Sequence, residues 1–300
     1  MFCKNLILLF VFSTLMIACT DRRDELGSKG NPIKIALVPG QDPKILESNG
    51  AELKKYLEAN TEWKFNVTVP VNFIAVVESF GSKRADVAII NPFGYILASE
   101  KYKAHASLSG VANGHIEYRG QIITRKGHLK SIKDINGKKF AFVDPASTSG
   151  YLMAAALFKK EGIKPSEYIF SGRHDTVIMA VYQKQVDAGA TFYSYSEGDQ
   201  PQDARKLVKD QYPDVFEKIE VLQLTESIPN DPVAFRDGLD PKIEAKIISL
   251  LKTYIKTPEG AKVMYDLYHM TDFQDATDKN YDSLRETIKS LGRSPTDFIK

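Results

Sequence analysis

Short apolar stretches alternate with longer amphipathic ones along most of the chain. Runs of apolar residues at 33–38 and 85–90 predict buried strands. Residues 43–58 carry leucines at helical spacing and predict an amphipathic helix between those strands. The same order returns at 139–143 and 152–160, where a strand precedes a helix. This alternation predicts an α/β fold with mixed, mostly parallel sheets flanked by helices.

The pattern changes in the middle of the chain, where a second lobe is expected to begin. Strand-like runs at 106–111 and 118–124 follow each other with no helix between them. Asp86 and Asp187 each open a strand of small residues, which indicates two similar lobes. After these come a helix from about residue 201, a return strand at 220–225, a turn at 227–232 and helices at 241–256, 258–269 and 278–291.

The first residues have the pattern of an export signal. Lys4 precedes an apolar run at 6–18, and Cys19 follows directly after a small residue. This arrangement resembles a bacterial lipoprotein signal, with residues 1–18 removed, Cys19 lipidated and residues 19–31 acting as a polar tether. The alternative is an ordinary secretory signal with an incidental cysteine. Both interpretations predict an exported protein, and with Cys3 in the removed segment neither leaves a pair for a disulfide.

Composition excludes several classes of function. Apolar residues make up 43% and charged residues 26% of the chain, as in globular proteins. The net charge of +2 gives no electrostatic basis for nucleic-acid binding. The five histidines lack metal-ligand spacing, and no phosphate-binding loop of the nucleotide type is present. We therefore expect neither a metal nor a cofactor.

The most suggestive polar stretch is Ser147-Thr148-Ser149-Gly150, which lies between a predicted strand and a predicted helix. The start of a helix offers unpaired backbone N–H groups and a dipole that favours negative charge. The three hydroxyls can donate to oxyanion oxygens, and Gly150 would let a ligand approach the backbone. The alternative is an ordinary helix cap, since Ser and Thr are preferred there in any protein.

Other polar side chains follow predicted strands at the edge where α/β proteins bind ligands. His174 could donate to an anion or could simply cap a helix. A Ser147–His174–Asp175 hydrolase is disfavoured, because no nucleophile-elbow motif is present and adjacent His and Asp do not normally orient each other. The remaining candidates for binding are Tyr95, Tyr118, Ser194, Asn230 and Asp231.

The order and spacing of residues 144–150, 172–175, 186–189 and 228–232 resemble the phosphonate-binding family of ABC-transporter proteins. The resemblance implies a type II-like, two-lobe periplasmic-binding-protein fold with a two-strand hinge and a ligand held in the cleft. We place lobe 1 at residues 32–118 and 226–300, and lobe 2 at residues 119–225.

The same resemblance assigns roles to individual residues. Ser147, Thr148 and Ser149 would bind phosphoryl oxygens, and His174, Tyr118 and Asp231 would match pocket positions. Phe73 stands where the family often has tyrosine. Ser194 stands where binders of aminated phosphonates have a carboxylate, which favours a small oxyanion such as phosphate or phosphite.

The sequence thus predicts a solute-binding protein, not an enzyme, that acts as a monomer, is lipid-anchored to a bacterial membrane and delivers phosphate, phosphite or a small phosphonate to an ABC permease. One alternative is a module that senses the same ligand for a partner receptor. A less favoured alternative is an exported phosphoesterase, for which the sequence offers no nucleophile–base pair.

Asp231 suggests how the ligand would be chosen. A carboxylate can only accept hydrogen bonds, so it suits the P–OH group of hydrogen phosphate. Sulfate has no proton to offer and would leave the carboxylate as an unpaired buried charge. The alternative is that Asp231 supports the turn between Pro229 and Pro232 by bonding to its own backbone.

Overall fold

A computed structural model describes residues 25–196 and 201–298. The predicted signal peptide, Cys19 and the first part of the predicted tether lie outside the described residues. Across the described ranges, no helix combines the length and the apolar content that crossing a membrane requires.

The described residues form eleven strands and nine α-helices, broadly in the predicted alternating order. The strands are β1 Ile33–Leu37, β2 Phe65–Thr68, β3 Val87–Ile89, β4 His105–Val111, β5 Glu117–Arg125, β6 Lys139–Phe142, β7 Glu167–Phe170, β8 Ala188–Tyr193, β9 Ile219–Pro229, β10 Pro232–Phe235 and β11 Asp272–Asp275. The helices are α1 Pro43–Ala59, α2 Phe73–Gly81, α3 Pro92–Tyr102, α4 Met153–Glu161, α5 His174–Tyr182, α6 Val215–Lys218, α7 Pro241–Tyr254, α8 Pro258–Tyr268 and α9 Asp282–Ser290.

The strands form two mixed sheets, and each sheet with its helices makes one lobe. The first sheet has the order β11-β4-β10-β3-β1-β2, and the second has the order β7-β6-β8-β5-β9. In the first, β1 runs parallel to β2 and β3, while β10 is antiparallel to β3 and β4. In the second, β6 runs parallel to β7 and β8, while β5 is antiparallel to β8 and β9. The carboxyl ends of the parallel strands in both lobes lead into the segments that meet between them.

Apolar packing holds each lobe together and also joins the lobes. In α1 the leucines at helical spacing, Leu46, Leu53 and Leu57, are fully buried against the first sheet. Burying one such side chain contributes about 1.5–3 kcal/mol. Another apolar cluster contains Phe93 of the first lobe and Val143 of the second. The two lobes therefore share a continuous apolar contact beside the cleft.

The chain crosses between the two sheets from β4 to β5 and from β9 to β10. Asn230 joins these crossings, because its side-chain amide donates to the carbonyls of Gly110 (2.9 Å) and His115 (2.8 Å). Its backbone N–H also donates to Ile116 O at 3.1 Å. A separate link comes from α9, where the carbonyl of Ser290 accepts from Lys159 Nζ of α4 at 3.0 Å.

Three sequence-based expectations differ from the structure. The predicted turn at 227–232 is mostly strand, because Ser227 to Pro229 continue β9 and Pro232 begins β10. The helix expected from about residue 201 is a 3₁₀ turn at Ala204–Val208, followed by the short α6. The C-terminal region also contains β11, which pairs with β4. β10 and β11 have four residues each and pair with strands distant in sequence, so their local pattern carries little signal.

The lobe boundaries placed at 118/119 and 225/226 fall inside β5 and β9. Both strands pair along their length, from Glu117 opposite Pro229 to Arg125 opposite Ile219, and belong wholly to the second sheet. The chain changes lobe in the short segments that precede β5 and follow β9.

Candidate functional site

A cavity of about 110 Å³ lies between the two lobes. This volume is several times the roughly 10–15 Å³ that a cavity needs to hold one water and is below the roughly 150 Å³ of a cavity that binds benzene. The cavity therefore suits a ligand of a few heavy atoms. Its walls comprise Val38, Gly40, Gln41, Phe73, Asn91, Gly110, Val111, Ala112, Tyr118, Ser147, Thr148, Ser149, His174, Phe192, Ser194, Leu207, Asn230, Asp231, Leu267, Tyr268, His269 and Met270.

The predicted serine-rich turn forms one wall of this cavity. A turn of π-helix at Thr148–Leu152 precedes α4, and Ser147 caps it by accepting from the Gly150 N–H at 3.2 Å. Ser147, Thr148 and Ser149 are all buried. Within the described residues, the backbone N–H groups of Thr148 and Ser149 have no acceptor. These N–H groups and the nearby hydroxyls form a donor surface suited to an oxyanion.

Gly150 has a different role from the one expected. It does not line the cavity, and a Cβ atom built on it would lie 2.3 Å from Val143 Cγ2. Glycine is therefore needed there so that the turn can pack against Val143, the residue that follows β6, and not so that a ligand can approach the backbone. This corrects the expectation drawn from the sequence.

Thr148 joins the two lobes as well as facing the cavity. Its Oγ1 accepts from Asn91 Nδ2 and from the Phe93 N–H, each at 2.9 Å, and both donors belong to the first lobe. Asn91 Nδ2 also donates to the carbonyl of Ala146 at 2.8 Å. The phenol of Tyr118 lies beside the hydroxyls of Ser149 and Thr148. The lobes are thus in direct polar contact at the cavity wall.

His174 begins α5 and contacts both lobes. Its backbone N–H donates to the carbonyl of Gly40 at 3.2 Å, and its Nδ1 lies 2.8 Å from Thr191 Oγ1. Burial lowers the pKa of His174 to about 3, so the imidazole is neutral near pH 7. When the Thr191 hydroxyl donates to Nδ1, Nε2 carries the proton and can donate to an anion.

Asp231 is an acidic group in the cavity wall with no side-chain hydrogen bond or ion pair among the described residues. Burial raises its pKa to about 7. Burial, and then the charge of Asp231, also raises the pKa of Tyr118 and of Tyr268 well above their usual value. The cavity therefore holds one carboxyl group beside phenols and without a cation, and this group can take up a proton near neutral pH.

The other predicted site residues have different placements. Ser194 lines the cavity, as does Asn230, although the Asn230 amide is engaged by the crossing carbonyls. Tyr95 is not part of the cavity wall: it lies in the core beside Tyr281, and its hydroxyl donates to Asp278 Oδ1 at 2.7 Å. The helix α3 is buried around its whole first half, and Tyr95 lies one turn beyond the end that faces the cavity.

Sequence reasoning missed the wall contributed by the end of α8. Tyr268 donates its phenol hydrogen to the carbonyl of Val38 at 3.0 Å, and His269 has a left-handed backbone with φ of 56°. Burial, and then the charge of Lys206, lowers the pKa of His269 to about 4. Gln41 fixes this wall by donating to the carbonyls of Asp266 (2.8 Å) and Leu267 (2.6 Å). A helix end carries no local pattern that predicts contact with a distant loop.

No cluster of three or more metal-ligating side chains occurs among the residues that the structure describes. The electrostatic potential in the cavity is determined by backbone N–H groups, hydroxyls, neutral imidazoles and one carboxyl group. Such a set can hold a small oxyanion through hydrogen bonds.

Comparison with known proteins gives a consistent result. Residues 35–281 match the model of a family described as "ABC transporter, phosphonate, periplasmic substrate-binding protein". The chain is 30% identical over 198 residues to the phosphate-import protein PhnD of Mycolicibacterium smegmatis, which covers 59% of this chain and 61% of that relative. It is 22% identical over 265 residues to the phosphonates-binding periplasmic protein of Escherichia coli, covering 85% of this chain and 74% of the relative. The chain thus spans about three fifths of the mycobacterial relative that it matches.

Solved structures share the fold. A binding protein of an ABC phosphonate transporter from Pseudomonas aeruginosa superposes with a TM-score of 0.76 at 20% identity, covering 87% of each chain. PhnD1 of Prochlorococcus marinus, solved with methylphosphonate, superposes with a TM-score of 0.74 at 19% identity, covering 87% of this chain and 98% of that one. These likenesses confirm the predicted two-lobe fold.

Proposed function

Because this chain belongs to the family of periplasmic substrate-binding proteins of phosphonate ABC transporters, we propose that it captures phosphate, phosphite or a small phosphonate and delivers it to a permease. The main support is the turn at Ser147–Ser149, whose free N–H groups and hydroxyls face a cavity sized for one small oxyanion. Family membership confirms the expectation of a binding protein and removes the support for an exported phosphoesterase.

Backbone and hydroxyl dipoles would stabilise the negative charge of the ligand, since no Lys or Arg is among the described residues of the cavity wall. The N–H groups of Thr148 and Ser149 lie where the dipole of a helix start favours an anion. Each hydrogen bond to a charged oxygen contributes about 1.5–3 kcal/mol. A few such hydrogen bonds together can bind the oxyanion without a cationic side chain.

Asp231 would select the protonation state of the ligand. It can accept from a P–OH group, and with a pKa of about 7 it can itself carry a proton near neutral pH. Sulfate brings no proton, so it would require that Asp231 be protonated. We therefore propose that the site favours hydrogen phosphate or a protonated analogue over sulfate at pH above 7.

The small volume and Ser194 support a ligand without a large aminated chain. Ser194 lies in the cavity wall and offers no charge to a distant ammonium group. We propose phosphate, phosphite or methylphosphonate in preference to longer aminoalkylphosphonates.

The family is periplasmic, so the protein is exported. We propose in addition that Cys19 carries the lipid anchor, that the protein acts as a monomer, and that the lobes move about the segments before β5 and after β9. The support for the anchor is the sequence pattern of residues 1–19. Asn230, which links both segments, supports the hinge assignment.

Calorimetry of the purified mature protein tests the proposed ligand class. Phosphate, phosphite, methylphosphonate, 2-aminoethylphosphonate and sulfate would be titrated separately at pH 8. We expect tight binding of at least one of the first three and weak or absent binding of sulfate. Binding of none of the three phosphorus oxyanions would overturn the proposal.

A further inference from the structure

Asn91 donates both of its side-chain hydrogens to residues of the second lobe. It precedes α3 in the first lobe, yet its side chain caps no N–H of that helix. The two hydrogens of Nδ2 go instead to the Ala146 carbonyl at 2.8 Å and to Thr148 Oγ1 at 2.9 Å, both in the second lobe. Its Oδ1 is buried without a partner among the described residues. Although Asn91 lines the cavity, its side chain has no donor left for a ligand.

Thr148, and not Asn91, caps the first turn of α3. Phe93 is in the first turn of α3, and its N–H donates to Thr148 Oγ1 at 2.9 Å. The first N–H groups of a helix lack partners within the helix and need acceptors from elsewhere. Here the acceptor comes from the other lobe, so this cap exists only while the lobes are in contact.

These two contacts fix the hydrogen-bonding character of Thr148. A hydroxyl has two lone pairs and one hydrogen. Asn91 and Phe93 occupy both lone pairs, so the hydroxyl retains only its hydrogen. That hydrogen can be donated to the phenol oxygen of Tyr118 or to a ligand in the cavity, so a bound oxyanion would compete with Tyr118 for it.

We propose that Asn91 is a positioning residue that couples closure of the cleft to recognition of the oxyanion. Contact with the first lobe fills the acceptor positions of Thr148 and turns its hydroxyl into an obligatory donor toward the ligand. When the lobes separate, the hydroxyl is free to rotate and to accept from water. Closure thus strengthens one ligand contact, and that contact in turn favours closure. This inference rests on the proposed function, because it requires an oxyanion in the cavity.

A double-mutant cycle tests the coupling. Asn91→Ala, Thr148→Val and the double variant would be titrated with inorganic phosphate and with methylphosphonate by calorimetry. We expect Asn91→Ala to weaken binding about tenfold and Thr148→Val about tenfold to a hundredfold, as expected for lost hydrogen bonds. The double variant should be within about twofold of Thr148→Val alone, because Asn91 acts through that hydroxyl. Thr148→Ser keeps the hydroxyl, so Asn91→Ala should still cost about tenfold in that background.

Asn72 provides a matched control. It caps α2 by accepting from the Ala75 N–H at 2.7 Å, entirely within the first lobe. Asn72→Ala should lower the melting temperature and leave the affinity unchanged.

Small-angle scattering measures closure directly. The decrease in radius of gyration on ligand binding should be smaller in Asn91→Ala than in wild type and should be unchanged in Asn72→Ala. Asn91→Leu keeps the number and branching of the side-chain heavy atoms and serves if Asn91→Ala does not fold.

The outcomes separate this inference from the proposed function. Independent, multiplicative losses from Asn91→Ala and Thr148→Val would overturn the coupling, as would an Asn91→Ala variant with wild-type affinity. Failure of the wild-type protein to bind any phosphorus oxyanion would overturn the proposed function, and the coupling with it.

Discussion

Tyr118, at the start of β5, and Asp231, between β9 and β10, line the same cavity. Tyr118 pairs with Ile228 across β5 and β9, and Asp231 lies three residues further along the chain. Burial, and then the charge of Asp231, raises the pKa of Tyr118 well above its usual value. The pair places a carboxyl group and a phenol on the same cavity, and no Lys or Arg is among the described residues that line it.

Asp231→Asn is expected to relax the discrimination between phosphate and sulfate. The amide can turn an N–H toward sulfate, whereas the carboxylate repels it. We expect sulfate affinity to rise by about tenfold or more, as one hydrogen bond to a charged group replaces one repulsion. Competition calorimetry at pH 8 measures the ratio of the two affinities.

Asp42→Asn is the control for that experiment, since Asp42 is exposed and its side chain caps α1 by accepting from the Lys44 N–H. The same change of charge outside the cavity should leave the ratio unchanged. If wild-type protein binds sulfate as well as phosphate, or if Asp231→Asn leaves the ratio where it was, Asp231 does not select the ligand.

Stability should depend on pH through the same residue. Burial raises the folded-state pKa of Asp231 to about 7, above the roughly 3.9 of an exposed aspartate. Between these values the folded state holds a proton that the unfolded state has released, so the folded state loses stability as pH rises through about 7. Asp231→Asn lacks this titration. Its free energy of unfolding, relative to wild type, should therefore increase from pH 5 to pH 8.5, by on the order of 3 kcal/mol.

Urea unfolding of both proteins without ligand at the two pH values measures this difference. His174 and His269, whose pKa values burial lowers to about 3 and about 4, titrate in both proteins and cancel in the comparison. A difference that stays constant with pH would show that Asp231 is ionised in the folded protein throughout this range.

Gly150→Ala should destabilise the fold through Val143. The added methyl would lie 2.3 Å from Val143 Cγ2, so the turn or the strand must shift. Overpacking of this kind costs about 1–3 kcal/mol. The double variant Gly150→Ala/Val143→Ala removes Cγ2, the nearest clashing atom, while Val143 Cβ stays 2.6 Å from the added methyl, so it should regain part of the lost melting temperature. Equal destabilisation in the single and double variants would place the cause elsewhere.

Cys19→Ala should release the protein from the membrane. Each buried CH₂ of a lipid chain contributes about 0.8 kcal/mol, so loss of the anchor should move most of the protein to the soluble fraction. Carbonate extraction followed by immunoblotting measures the distribution, and Cys3→Ala is the matched control. Retention of Cys19→Ala in the membrane pellet would contradict the proposed lipidation.

The sequence predicted most of the elements because their patterns are local. Ile33–Leu37 is a run of mostly apolar residues, and α1 carries Leu46, Leu53 and Leu57 on one face, so both follow from periodicity alone. β10 has four residues and its partners β3 and β4 are far away in sequence, so nothing local distinguishes it from a turn.

The placement of candidate residues in the cavity wall was predictable where local chemistry decides it. Ser147, Thr148 and Ser149 lie at a strand-to-helix turn, and the structure places all three in the cavity wall. The roles of Gly150 and Asn91 depend on tertiary contacts, with Val143 in one case and with the other lobe in the other. The spacing of residues along the sequence does not reveal such contacts, and for this reason the role predicted for Gly150 differs from the one in the structure.

A crystal structure of the protein grown with phosphate or methylphosphonate would locate the bound oxyanion. We expect one phosphorus atom in the interlobe cavity, with its oxygens 2.7–3.2 Å from the N–H groups of Thr148 and Ser149 and one oxygen beside Asp231. Phosphorus bound elsewhere, or bound in the cavity without contact to the turn at Ser147–Ser149, would contradict this expectation.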